Sequence, residues 1–123
     1  MKYAVIKGNK FTGTAYNRHG ILAYSNSRAI VLDGCGVKNA GTTGIYAVYG
    51  STINAGGADA SGAGTCGIYA THGSTINADG ADASGAGTYG IYADYGSTIN
   101  AGGATGTLNQ AKNTLTAAGI IFQ

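Results

Sequence analysis

One segment recurs three times at a fixed interval, and few folds accept that. Gly44-Ile45-Tyr46-Ala47 returns as Gly67-Ile68-Tyr69-Ala70 and again as Gly90-Ile91-Tyr92-Ala93, 23 residues apart each time. Gly50-Ser51-Thr52-Ile53-Asn54-Ala55 starts six residues after the first copy and recurs with the same period at Gly73–Ala78 and Gly96–Ala101. Between these blocks, Ala58–Thr65 and Ala81–Thr88 have the same sequence. Self-similarity at such a period belongs to stacked repeats, in which each unit buries its apolar face only against its neighbours.

The repeat unit is built of strands. A helical hairpin needs two stripes of apolar residues at helical spacing, and Gly every few positions costs about 1 kcal/mol at each helical site. Short alternating segments fit instead. Ile45 and Ala47 share one face of a strand, and Tyr46 and Val48 the other. Ser51, Ile53 and Ala55 point inward with Thr52 and Asn54 outside, and Ala58 and Ala60 point inward around Asp59. Three strands of three to five residues joined at Gly-rich corners make one coil, so the sequence predicts an all-β, single-stranded parallel β-helix of about five coils.

Stacking turns the repeat into columns about 4.8 Å apart. Ile53, Ile76 and Ile99 form one internal column, with Ile30 expected to extend it, and Ile45, Ile68 and Ile91 form another. Ala58, Ala81 and Ala104 line a third, thin wall. Gly50, Gly73 and Gly96 share one corner where a left-handed backbone is free of Cβ cost. Asn54, Asn77 and Asn100 are placed for an amide ladder. The chain reads as one domain: an irregular first coil over 1–19, a degenerate coil over 20–43, regular coils over 44–112 and a terminal partial coil over 113–123. In the degenerate coil, Gly20-Ile21-Leu22-Ala23 carries one extra residue before the next element. In the terminal one, Leu115 falls one place beyond the position of Ile91. Tyr3-Ala4-Val5-Ile6 and the apolar run Ala117–Phe122 both look like joints, to a longer spike or to partner chains.

Composition excludes other classes. The chain is 44% hydrophobic and only 10% charged, against about 25% charged in an ordinary soluble domain, which is unlike a disordered segment. Gly lacks the every-third-residue spacing of collagen, and Pro is absent. No apolar run is long enough to span a bilayer, and the lysines at 2, 7 and 10 interrupt any signal-peptide pattern. The formal charge of +2 is too small to imply nucleic acid as a partner. Its distribution is uneven: residues 44–104 hold Asp59, Asp79, Asp82 and Asp94 and no Lys or Arg. Cys35 and Cys66 have no metal-site spacing and read as free thiols, a disulfide being the alternative.

Candidate chemistry is sparse. No zinc-protease, nucleophile-elbow or phosphate-loop motif occurs, and no cofactor is implied. Asp59 and Asp82 share an outward column at a separation near that of a retaining glycosidase pair, and are equally the product of a soluble repeat. Asn77, Asp79, Asp82 and Ser84 make an oxygen-rich segment loosely like a calcium loop, but without EF-hand spacing. Tyr16, Arg18 and His19 are the weak catalytic candidates, since an Arg beside a base suits cleavage next to a uronate carboxylate. The tyrosines are the stronger clue. Tyr46, Tyr69 and Tyr92 form an outward ladder, and Tyr49, His72 and Tyr95 a second, suited to interchain packing, surface filling or stacking on sugar faces. The single column Thr52, Thr75 and Thr98 lacks the paired threonines of an ice-binding face.

The Gly-Ile-Tyr-Ala, Gly-Ser-Thr-Ile-Asn-Ala and Ala-Asp-Ala-Ser-Gly-Ala-Gly-Thr coils, across about residues 20–110 and most strongly Gly44–Ala101, resemble the β-helical parts of bacteriophage and prophage tail-fibre and tailspike proteins. That resemblance implies a right-handed coil, a homotrimer on the virion tail, and contact with bacterial surface polysaccharide. It also brings in the alternative of a glycan-active fragment, a capsular polysaccharide lyase or glycosidase. No catalytic residue of that family maps onto a position of this chain.

Overall fold

The computed structural model describes residues 2–6, 11–12, 19–31, 34–108 and 119–122. Twelve strands follow one another: β1 (Lys2–Ile6), β2 (Phe11–Thr12), β3 (Ile21–Tyr24), β4 (Ser27–Val31), β5 (Val37–Lys38), β6 (Thr43–Val48), β7 (Thr52–Asn54), β8 (Cys66–Thr71), β9 (Thr75–Asn77), β10 (Tyr89–Ala93), β11 (Ser97–Asn100) and β12 (Gly119–Phe122). All of their pairings are parallel, each strand beside its equivalent one coil away. One wall is the six-stranded sheet β1-β4-β7-β9-β11-β12, a second is β3-β6-β8-β10, and the third begins with β2-β5. The third wall continues as single bridges from Gly36 to Asp59, Asp82 and Thr105. The fold is a parallel β-helix of about four complete turns among the described residues, with partial turns at its ends.

The columns read from the sequence are the core. Ile45, Ile68 and Ile91 are fully buried, with Ile21 above them, and Ile53, Ile76 and Ile99 form the other aliphatic column, completed by Ile121. Ala58, Ala60, Ala81 and Ala83 close the third wall. That wall approaches the second sheet so closely that the glycine of each Gly-Ile-Tyr-Ala strand is a steric necessity: a Cβ on Gly67 would lie 2.7 Å from Ala83 Cβ and 2.8 Å from the Gly90 carbonyl oxygen. Serine has an equally specific role. The buried hydroxyls of Ser51, Ser74 and Ser97 each accept the backbone N–H of the serine one coil before, Ser27, Ser51 and Ser74 respectively, at 3.1–3.2 Å. Polar groups are thereby satisfied inside the coil where a corner would otherwise leave an orphaned amide.

Two register expectations are corrected. Ile30 does not extend the Ile53 column; it pairs with Asn54, and Ala29 is the buried residue above Ile53. The extra residue of the degenerate coil falls after Val31 rather than before β4, because Arg28 is paired with Thr52 while Gly36 is already paired with Asp59. The chain absorbs the insertion at a corner, which keeps the inward set of β4 in the core. At the other end, Leu108 bridges to Ile91, and Gly119 pairs with Ser97. The last coil therefore takes a shorter path than a 23-residue repeat, and Leu115 lies outside the described residues.

Candidate functional site

Two aromatic ladders run along the edge where β6, β8 and β10 turn into the six-stranded sheet. In the first, Tyr46 and Tyr69 stack with centroids 4.8 Å apart, and Tyr69 meets Tyr92 edge-on at 4.7 Å. His19 packs against its first ring, 4.5 Å from Tyr46, and Tyr89 of the same strand flanks Tyr92 at 5.7 Å. In the second, Tyr49, His72 and Tyr95 follow one another at 4.8 Å, and Tyr24 packs edge-on against Tyr49 at 5.2 Å. The first ladder is half-buried. The second lies open, with Tyr49 47% and Tyr95 66% exposed and Tyr24 similarly bare beside it, while Leu22, also exposed, is in register with Tyr46.

The second ladder stands on an unusual backbone. Tyr49, His72 and Tyr95 have φ of 54°, 53° and 45°, each followed by a left-handed glycine. Two successive left-handed residues turn the corner, and the equivalent pair in the preceding coil is Ser25 and Asn26. A left-handed conformation costs a residue with a Cβ about 1–2 kcal/mol, least for Asn and Asp, whose short polar side chains bond locally. An aromatic ring occupies the strained position three times in succession. Strain retained in this way clusters at sites of binding or switching.

Between the ladders runs the column Val48, Thr71 and Asp94, all buried although strand alternation points them outward. The first ladder covers it. The Tyr69 ring leans along its strand so that its hydroxyl donates to Asp94 Oδ2 at 2.9 Å. Burial, and then this bond to the carboxylate, push the Tyr69 phenol far above its ordinary range. Burial raises Tyr46 and Tyr92 as well, with the Asp94 charge adding to it. Thr71 Oγ1 and His72 Nδ1 are 3.0 Å apart, tying the column to the outer ladder. Asp94 is 8% exposed, and its Oδ1 is closed to solvent and has no hydrogen-bond partner among the described residues.

The other candidates are placed elsewhere. Asp82 Oδ1 accepts the Ser84 amide and hydroxyl and the Thr105 hydroxyl. The Ser84 bonds, hydroxyl first, hold its carboxyl below the ordinary value, the opposite of what a proton donor needs. Asp59 Oδ1 is engaged in the same way by Ser61. Asn77 Oδ1 accepts the Asp79 amide in the turn after β9, while Asp82 lies on the third wall, and among the described residues no three His, Cys, Asp or Glu side chains are grouped to hold a metal. The amide ladder is partial, with Asn77 Nδ2 3.4 Å from Asn54 Oδ1. Cys35 and Cys66 are both buried free thiols, and burial pushes the Cys66 thiol up. Tyr16 and Arg18 lie outside the described residues; His19 belongs to the first ladder. The periodicity located the two three-residue ladders, but His19, Tyr24 and Tyr89, which pack against them, stand in other columns of the coil, and alternation hid the burial of Asp94.

Residues 2–120 match the family model described as the right-handed β-helix region. The chain belongs to the right-handed β-helix family. This agrees with the handedness that the tail-fibre resemblance implies, and with the fold read from the repeat. No curated protein and no solved structure matches the chain.

Proposed function

We propose that this right-handed β-helix is a structural and assembly segment of a bacteriophage or prophage tail fibre or tailspike, joined to its copies as a homotrimer along the Tyr49–His72–Tyr95 edge. The observation that carries the reading is an exposed aromatic ladder held on left-handed backbone. Rings stacked only on their own neighbours gain about 0.5–1.5 kcal/mol per pair, which does no more than offset the backbone strain. Burial against further chains supplies the missing stabilisation, and Tyr and His edges with few charges suit an interface core. The ladder of the edge itself holds no Asp, Glu, Lys or Arg, which suits parallel, in-register packing of copies whose first coils are basic and middle coils acidic.

A second reading, contact with bacterial surface polysaccharide, is favoured by the hydroxyl and carboxylate of Thr71 and Asp94 between the rings. The lyase or glycosidase alternative has less support, because Asp82 is tuned away from acid catalysis and His19 packs on Tyr46. Light scattering over a range of concentrations tests the assembly. The wild type is expected at three times its 12.1 kDa mass, and Tyr49→Asn/Tyr95→Asn at the monomer mass with an unchanged fold, since Asn suits the left-handed position. A monomeric wild type at every concentration overturns the proposal.

A further inference from the structure

We infer that Asp94 and the rings around it form a binding site for a cationic nitrogen, an ammonium or a guanidinium group. The inference takes nothing from the assembly reading and rests on a charge in the wrong place. Val48 and Thr71 fill the two preceding positions of the column, and both are buried. Asp94 puts a carboxylate into the same slot. Tyr69 satisfies Oδ2, and Oδ1 is enclosed without a partner among the described residues. Asp59 and Asp82 show what a structural aspartate looks like in this fold: each accepts from the serine two residues on.

The described groups near Asp94 leave its charge uncompensated. Tyr46, Tyr69, Tyr92 and Cys66 all feel that negative charge. His72 is tied to Thr71 in the coil above and stacks on Tyr95 with planes 15° apart. No Lys or Arg occurs between Lys38 and Lys112. Aromatic faces attract cations within about 6 Å of the ring centroid, and a carboxylate among such faces completes a cage for a cation while repelling an anion. A charged donor is also the partner that an enclosed carboxylate oxygen bonds most strongly.

Two sources share this chemistry: an amino group on a small molecule such as an amino sugar, or a Lys or Arg side chain of another molecule. The test is an NMR titration of the full chain, following the rings of Tyr69, Tyr92, Tyr95 and His72. The probes are methylguanidinium for a side chain, glucosamine for an amino sugar, and the neutral isosteres methylurea and glucose. Saturable shifts are expected with the cations and not with the neutral probes, weakened at least tenfold in Asp94→Asn and unchanged in Asp82→Asn. Asp94→Thr, which restores the residue of the coil above, provides a variant that folds if Asn does not, and it too must lose binding. Equal shifts from methylurea and methylguanidinium, undiminished binding in both Asp94 variants, or no saturable binding in the wild type overturns the inference. None of these results depends on the mass of the assembly.

Discussion

Ile76 is the most stringent place to perturb the solenoid. It is fully buried, with Ile53 in the strand on one side and Ile99 in the strand on the other. Ile76→Ala deletes three buried carbons, and at about 0.8 kcal/mol each the lost transfer energy is about 2.4 kcal/mol. A cavity penalty adds to it, because the opposite walls are alanines and glycine backbone pinned by ladder hydrogen bonds and cannot fold into the hole. The total is expected at about 4 kcal/mol, toward the top of the 2–5 kcal/mol range for such substitutions. That is a large part of the whole stability of a domain this size, about 5–15 kcal/mol. Ile121→Ala, in the outermost strand of the six-stranded sheet, should cost about 1–2 kcal/mol less, since only β11 lies beside it. Urea unfolding followed by far-ultraviolet circular dichroism measures both. If Ile76→Ala costs no more than the exposed neighbour Thr75→Ala, the column is not the core and the stacking argument fails.

Other consequences are equally direct. Gly67→Ala should destabilise by about 1–3 kcal/mol through its clash with Ala83 and the Gly90 carbonyl, measured by the same urea midpoint. Ser74→Ala leaves the buried Ser51 amide without its acceptor and should cost about 1–3 kcal/mol, with faster hydrogen exchange at Ser51. The lowered Asp82 carboxyl makes the native state favour the ionised form, so its stabilisation is complete above the unfolded value of about 3.9 and disappears as pH falls through the native value. The urea midpoint of the wild type should therefore fall more steeply below about pH 4 than that of Asp82→Asn. The buried Cys35 and Cys66 should react with a chromogenic disulfide reagent only as the protein unfolds.

The fold was legible because its information is redundant. A period shared by Ile45, Ile68 and Ile91 and by Ile53, Ile76 and Ile99 specifies coil, face and register together. Legibility failed where the period does. Arithmetic of 23 put Ile30 over Ile53, because a sequence cannot say on which side of a strand an inserted residue is absorbed; the structure places it at the corner after Val31 and keeps Ala29 in the core. The ladders were visible as columns, but the left-handed backbone beneath Tyr49, His72 and Tyr95 was not, since aromatic residues carry no signal for it. Asp94 was hidden for a different reason. Alternation assigns it outward, and the bond from the Tyr69 hydroxyl, reaching over from the coil above, has no sequence signal.

The central claim is that the outer ladder joins copies of this chain in register, and cysteine cross-linking at its midpoint tests it most directly. His72→Cys sits at one height in every copy, so mild oxidation should give covalent dimers, while Asn77→Cys, exposed on the six-stranded sheet, should not cross-link. Cys35 and Cys66 are buried and should stay silent. A His72→Cys chain that remains uncrosslinked, or that links no faster than Asn77→Cys, would contradict the account.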